Sequence, residues 1–366
     1  MKRLVLLGGG HAHLQVLRGL AQAPIHGAQA TLVSPYPHLV YSGMAPGWLA
    51  GHYASEDCTI ALGPLAANGG AKVVRAAAVS LDPAARRLRL DDGREVGYDA
   101  LSVDVGSVMD RDAIPGASEH ALFVRPMEHF MQRTRAALGR AGRPLRDVLV
   151  VGAGAAGVEL ALAMKYRLGA ASRIGLVSGG APVLEAYPAA ARRLGLRALK
   201  QRGVALFEQA CLRVAADHIM LGNGERLPCD LAVLAIGASA PAWLAGSGLA
   251  LDARGFIATG ATLQSTSHPE VFAAGDVSSR ADAPRPRSGV YAVRAGPPLA
   301  LNLRRFIEGA ALQRYLPQTR SLNLLACGEQ RAIVSWGRFA AEGRWAWRWK
   351  DRIDRRFVRQ FQEGAA

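Results

Sequence analysis

Apolar residues fall along the chain in short runs punctuated by glycine turns, and one such stretch occurs twice. Leu4-Val5-Leu6-Leu7 runs into Gly8-Gly9-Gly10, and Val148-Leu149-Val150-Val151 runs into Gly152-Ala153-Gly154. Leu14, Leu17 and Leu20 then mark one helical face in the first unit, while Val158, Leu160, Leu162 and Met164 make the second apolar almost all round. Each unit closes on a further apolar run, Thr31-Leu32-Val33-Ser34 or Gly175-Leu176-Val177-Ser178. The copies are offset by 144 residues, and in both the serine stands 26 positions after the first glycine. Strand, glycine turn, helix, strand is the βαβ pattern of dinucleotide folds, so the predicted class is α/β with two Rossmann-like units.

The turn chemistry follows from sterics. One glycine permits the sharp turn, and the next lets backbone N–H groups approach a pyrophosphate at the positive end of the helix dipole. Two copies in one register carry far more weight than a lone G-x-G-x-x-G. Gly152-Ala153-Gly154-Ala155-Ala156-Gly157 is complete, whereas His13 stands where the first copy would have its third glycine. Close helix–strand packing is therefore expected only in the second copy. Ser34 and Ser178 occupy the place where an acid usually holds a ribose hydroxyl. His11 and His13 are spaced i, i+2 with no third ligand nearby, so they read as polar residues of a phosphate turn and no metal is expected.

Two other patterns bear on organisation. Leu231 to Leu251 has no charged residue and is long enough to span a bilayer. It contains Gly237, Pro241, Gly246 and Gly248, however, so a buried strand, a turn and a short surface helix are expected instead. Near the end, Leu322–Ala326 and Arg331–Trp336 flank Gly328-Glu329 as a hairpin. Beyond it Trp349, Ile353, Phe357 and Phe361 recur every four residues among Arg352, Arg355, Arg356 and Arg359. That basic amphipathic helix suits either an anionic membrane surface or docking on the body or a second subunit.

Composition narrows the classes. The 366 residues exceed one ordinary core, and 50% hydrophobic with 20% charged residues fits a globular chain. The formal charge of +15 favours anionic partners, but no nucleic-acid-binding signature accompanies it, so none is expected. Cys58, Cys211, Cys229 and Cys327 include no C-x-x-C, which argues against a disulfide scaffold or zinc site and for a reducing compartment. The N-terminal apolar run is too short for a signal peptide, and a cytoplasmic location is expected.

With both turns in place, three segments complete a family pattern. Tyr98-Asp99-Ala100-Leu101-Ser102-Val103-Asp104-Val105-Gly106-Ser107 resembles the strand and turn closing the first nucleotide region of two-dinucleotide flavoproteins. Asp230-Leu231-Ala232-Val233-Leu234-Ala235-Ile236-Gly237 resembles its counterpart in the second, and Ser267-His268-Pro269-Glu270-Val271-Phe272-Ala273-Ala274-Gly275-Asp276-Val277 the late FAD motif. The chain resembles the glutathione-reductase-like flavoproteins (the pyridine nucleotide-disulfide oxidoreductase superfamily), and within them the type II NADH dehydrogenases, whose helix start Gly157-Val158-Glu159-Leu160-Ala161 matches. It is also similar to the flavoprotein module fused to some selenide, water dikinases, through Ser34 to Tyr53, Gly289 to Pro298 and Trp347 to Phe357. No dikinase half is expected within these residues.

The resemblance implies FAD at Gly8, Gly10, Ala12, His13, Ser34 and Gly106, with Gly275 and Asp276 at the ribityl chain and Val290 and Tyr291 beside the ring. It implies NAD(P)H as co-substrate at Gly152, Gly154, Ala156, Gly157, Ser178 and Gly237. Glu159 would reach toward the nicotinamide or complement the helix dipole. Implied domains are an FAD domain over 1–110 and 246–312, an NAD(P) domain inserted over 111–245, and a C-terminal hairpin and helix over 313–366.

Hydride transfer between cofactors needs no protein nucleophile, so no catalytic residue is assigned. Without a cysteine pair beside the flavin, electrons would pass directly to a small acceptor. A quinone is the leading candidate. The family's glutamines near the quinone are missing, though, and Arg294 stands in that stretch as a candidate flavin or acceptor contact. Pro297 and Pro298 predict a helix start or kink there. The alternatives are a flavin-binding accessory or redox-sensing protein linked to selenium metabolism, and a reductase of an anionic small molecule. With no acid at Ser178 and no arginine directly after it, NADH and NADPH are both candidates, and oligomeric state is open.

Overall fold

The computed structural model describes residues 1–139 and 144–362. The expected second and third domains each include a few residues, 140–143 and 363–366, outside that description. Two five-stranded parallel sheets organise the chain. In the first, Val271–Ala273, Ala100–Val103, Lys2–Leu7, Ala28–Val33 and Lys72–Val74 lie side by side in that order. In the second the order is Ala121–Phe123, Leu231–Leu234, Asp147–Val151, Arg173–Val177, Val204–Phe207. The central strand of each sheet is the one that leads into a glycine turn. The repeat in the sequence is thus a repeat in space.

Both central strands are apolar without alternation because both faces are covered. Leu4 and Leu6 point into the core shared with the helix His11–Gln22, where Leu14, Leu17 and Leu20 are buried; Val5 and Leu7 point into a separate core on the other side. Burying each such leucine contributes about 2 kcal/mol. Residues Leu231 to Leu251 form the strand Leu231–Leu234 and a 3-10 turn at Ala242–Gly246, as the glycines and proline predict. Among the described residues no helix is long and apolar enough to cross a membrane.

Three expectations change in the last third of the chain. A single helix runs from Gly289 to Glu308 with Pro297 and Pro298 inside it, so no helix starts there. It packs so closely on the first helix that a Cβ at Gly296 would lie 2.7 Å from Gln15 Cγ, and this burial outweighs the two lost helical donors. The hairpin is a three-stranded antiparallel sheet, since Phe339–Gly343 adds to Leu322–Ala326 and Ala332–Trp336. The final helix, Arg344–Gln362, follows it directly and splits the four-residue apolar stripe. Phe357 and Phe361 are buried in the first core, whereas Trp345, Trp349 and Ile353 stand exposed.

Candidate functional site

The first glycine turn is locked from beneath. Gly8 has φ +96°, and a Cβ there would fall 2.4 Å from the carbonyl of Asp104. His13 is fully buried, with Nδ1 2.6 Å from Gly8 O and Nε2 2.8 Å from Ser102 Oγ. A carbonyl can only accept, so Nδ1–H donates to Gly8 and Nε2 accepts from the serine hydroxyl. Burial pushes the imidazole down to about 4, which keeps it neutral. His13 is therefore a core histidine bracing the turn, and the expectation that it faces the pyrophosphate is corrected. It fills the volume that a third glycine would leave.

Asp104, which sequence reasoning passed over as a strand residue, is the second part of this lock. Its Oδ2 accepts from the N–H groups of Ala12 at 2.8 Å and His13 at 3.0 Å, in the first turn of the helix. Burial, only partly offset by these donors and nearby His11, pushes its carboxyl up to about 6.

Above the turn lies a cleft of about 710 Å³, well inside the range of ligand sites. It runs from Ser34 and Tyr36 past Gly9, Gly10 and His11 to Asp276, Gly289 and Ala292. Gly106 lines it with φ +71° and has no heavy atom within 4 Å of where a Cβ would sit. A glycine facing open space in a cleft fits close approach of a ligand. His11 adds a buried Nε2 with no hydrogen-bond partner, beside the rings of Tyr41 and Phe357. Asp276 accepts from Arg125 Nη1 at 2.9 Å, joining the two halves of the chain across the cleft. Gly275, φ +71°, lets that loop pass within 2.6 Å of Asp104 Oδ1 if a Cβ is imagined there. The long form, the glycine approach and the orphaned nitrogen fit an extended dinucleotide such as FAD. Ser34 lines the cleft with its hydroxyl bonded to Tyr36 O at 3.2 Å.

The second turn has the same backbone and none of these side chains. Gly152 has φ +111°, and a Cβ there would meet Ala235 O at 2.4 Å, matching Gly8 against Asp104. Gly157 approaches until a Cβ would lie 1.7 Å from Gly152 O, the close packing its position predicts. Gly154, Ala156 and Gly237 are exposed, and no heavy atom stands within 4 Å of a Cβ placed at Gly154 or Gly237. Ser178 follows the strand Arg173–Val177, its N–H bonded to Phe207 O.

Three expected contacts lie elsewhere. Glu159 turns from the helix Ala155–Leu168 toward the C-terminal sheet, where Oε1 accepts from Ala326 N–H at 2.7 Å; it does not line the cleft. Burial raises its carboxyl to about 7, against the opposing pull of Lys350. Lys350, itself buried, donates to Gly43 O at 2.6 Å and Asp354 Oδ2 at 2.7 Å, next to Ser42 on the cleft wall. Arg294 is exposed on its helix and lines neither the cleft nor the smaller cavity beside it. Of the expected ring contacts, Tyr291 faces that smaller cavity and Val290 lines neither; Gly289 and Ala292 line the cleft instead. None of the four cysteines lines the cleft, and burial pushes the thiols of Cys58, Cys229 and Cys327 up to about 12.

Two Rossmann-like sheets, each with a glycine turn, define a two-dinucleotide oxidoreductase that uses FAD with NAD(P)H as co-substrate. The family of pyridine nucleotide-disulphide oxidoreductases matches residues 2–296, and the chain belongs to it. Oxidoreductase ptaL of Pestalotiopsis fici is 27% identical over 364 residues, 94% of each chain. Demethylphylloquinone reductase NdbB of Synechocystis is 24% identical over 294 residues, 77% of this chain and 73% of the relative. The sulfide:quinone oxidoreductase of Aquifex aeolicus shares the fold with a TM-score of 0.82 at 19% identity, covering 100% of this chain and 92% of that one.

Proposed function

We propose that this flavoprotein reduces a small quinone-type acceptor with electrons from NAD(P)H, without a cysteine relay. One observation carries the reading: a first turn enclosed in a cleft for a resident cofactor, and a second turn open to solvent for an exchanging one. The proposed domains are 1–110 with 246–312, 111–245 and 313–366; the separate cores beneath the two parallel sheets support the first two, while the last segment buries Leu325, Cys327 and Ile333 in the second sheet's core and Phe357, Val358 and Phe361 in the first's. Bound FAD would supply the chemistry, accepting a hydride and passing two electrons on. Asp104, His13 and Gly8 would hold the cradle rigid, and Arg125 would hold the Asp276 carboxylate in place on the cleft wall. Reducing a quinone to a quinol takes two protons as well as two electrons, and hydride transfer brings one. The quinone-reducing relative NdbB supports this choice of acceptor.

We also propose that the C-terminal helix touches the membrane face. Trp336, Phe339, Trp345, Trp349 and Ile353 are exposed on the last sheet and helix, beside Arg348 and Arg352. Such a surface suits an anionic headgroup layer. Wild type is expected to co-sediment with vesicles containing anionic lipid, and Trp345→Ser with Trp349→Ser to remain in the supernatant. Equal sedimentation of both would contradict the contact.

The redox reading is tested by anaerobic mixing of the holoprotein with NADH or NADPH. Flavin absorbance near about 450 nm should bleach within seconds and return on adding a soluble quinone. No bleaching by either coenzyme over minutes contradicts the enzyme. Bleaching that quinone does not reverse contradicts the acceptor.

A further inference from the structure

A second cavity, about 200 Å³, borders the cofactor cleft through Asp276 and Ala292. Three arginines line it: Arg280, Arg285 and Arg287. Two have acidic partners. Arg280 pairs with Asp282 at 2.7 Å, and Arg287 lies 3.5 Å from Asp252 while stacking on Phe256. Asp276, the carboxylate on the shared wall, is paired with Arg125. Arg285 is different. Its guanidinium donates to the carbonyls of Pro284, Pro317 and Gln318 at 2.7, 3.3 and 3.0 Å, and among the described residues no carboxylate pairs with it. A half-buried positive charge, held by carbonyl dipoles and without a carboxylate partner among the described residues, thus stands on the cavity wall.

The rest of the wall is mixed, with Ser278, Ser279 and Ser288 beside an apolar part. Pro284, Pro286 and Pro317 line it together with the rings of Tyr291 and Tyr315. The buried Tyr315 hydroxyl has no hydrogen-bond partner. The same carbonyl bonds staple the loop around Pro284 to the segment around Pro317, so the cavity is preorganised and ligand binding need not order it.

We propose that this cavity binds a small organic anion, a carboxylate on a flat apolar body, with Arg285 facing the carboxylate and the tyrosine and proline walls holding the body. The guanidinium fork matches a carboxylate in shape as well as charge. The site shares a wall with the cofactor cleft, so an occupant would lie beside the resident cofactor. The proposal does not depend on which electron acceptor the protein uses.

Calorimetric titration of the purified holoprotein with benzoate tests it, with neutral benzamide and inorganic phosphate as controls. Benzoate should bind saturably and at least about ten-fold more tightly than either control. Arg285→Gln should weaken benzoate by about ten-fold or more and leave benzamide unchanged. Since Arg285 also staples two loops, Ala283→Phe serves as a second variant that fills the cavity without touching an arginine, and it should abolish binding. Phosphate matching benzoate would reduce the site to a plain oxyanion site and overturn the organic ligand. So would benzamide binding as well as benzoate, undiminished binding to Ala283→Phe, or no saturable heat up to about 10 mM. Bleaching by NAD(P)H, followed in the same preparations, reports on the redox reading separately.

Discussion

The two glycine turns share a backbone and differ in what lies beneath it. Beneath Gly8 sit His13 and Asp104; at the equivalent places around Gly152 stand Gly157 and Ala235. The first turn is held by four side-chain hydrogen bonds buried in the core: His13 donates to Gly8 O and accepts from the Ser102 hydroxyl, and the N–H groups of Ala12 and His13 donate to Asp104. The second is held by close backbone packing, with no side-chain hydrogen bond to residues 152–157 among the described residues. Buried, satisfied polar networks rigidify what they touch, and a rigid cradle loses little entropy when a cofactor binds. On the proposed reading the difference teaches how one motif would serve two purposes: a locked copy for a permanent occupant and an open copy for one that must leave each cycle.

The comparison breaks most sharply at the third motif position. Gly157→Ala sets a methyl 1.7 Å from a backbone oxygen, so the helix must move, at about 3 kcal/mol or more. NADH affinity should fall at least ten-fold while flavin content is unchanged. His13→Ala empties a core volume and strands Gly8 O and the Ser102 hydroxyl, costing about 2–4 kcal/mol. It should release flavin while NADH still binds. Melting curves, flavin absorbance and calorimetry separate these outcomes, and loss of the same cofactor from both variants would erase the distinction between the turns.

A smaller effect sharpens the role of the lock. His13, lowered from 6.5 to about 4, stays neutral while the unfolded chain takes up a proton, so it costs stability as pH falls across that window. Asp104, raised from 3.8 to about 6, acts with the opposite sign: its contribution is present below 3.8 and is lost as pH rises through 6. Each spans about 3 kcal/mol, and between pH 4 and 6 they cancel. The pair therefore adds almost no pH dependence of its own over that range. Asp104→Asn removes one partner, and its stability relative to wild type should fall by about 3 kcal/mol as pH drops from about 6 to 4. Chemical denaturation at several pH values checks this; parallel profiles for the two proteins would contradict it.

What could be read from the sequence follows from the range of each interaction. The turns were legible because positive φ at Gly8 and Gly152 and the absence of a Cβ leave their mark at fixed local spacing. The repeat also announced both parallel sheets. Asp104 lay in plain view, but its partners Ala12 and His13 are some ninety positions away, and no local pattern announces a capping residue from another strand. Arg125 meets Asp276, and Glu159 meets Ala326, only after the sheets and the C-terminal strands assemble. Phe339–Gly343 was missed because Phe-Ala-Ala-Glu-Gly has weak strand preference and is recruited by its neighbour Ala332–Trp336. The terminal apolar stripe was read correctly as a helix, but four-residue spacing drifts around the cylinder. Its two ends consequently face different surroundings, Phe361 the core and Trp349 the solvent.

The asymmetry of the two turns is tested most directly by what the protein keeps. Wild type incubated with excess FAD and NADH, then passed through gel filtration and denatured, should release FAD at close to one per chain and almost no nicotinamide. Free flavin left behind on the column, or nicotinamide carried through with the chain, would contradict the assignment of the locked turn to the resident cofactor and the open turn to the exchanging one.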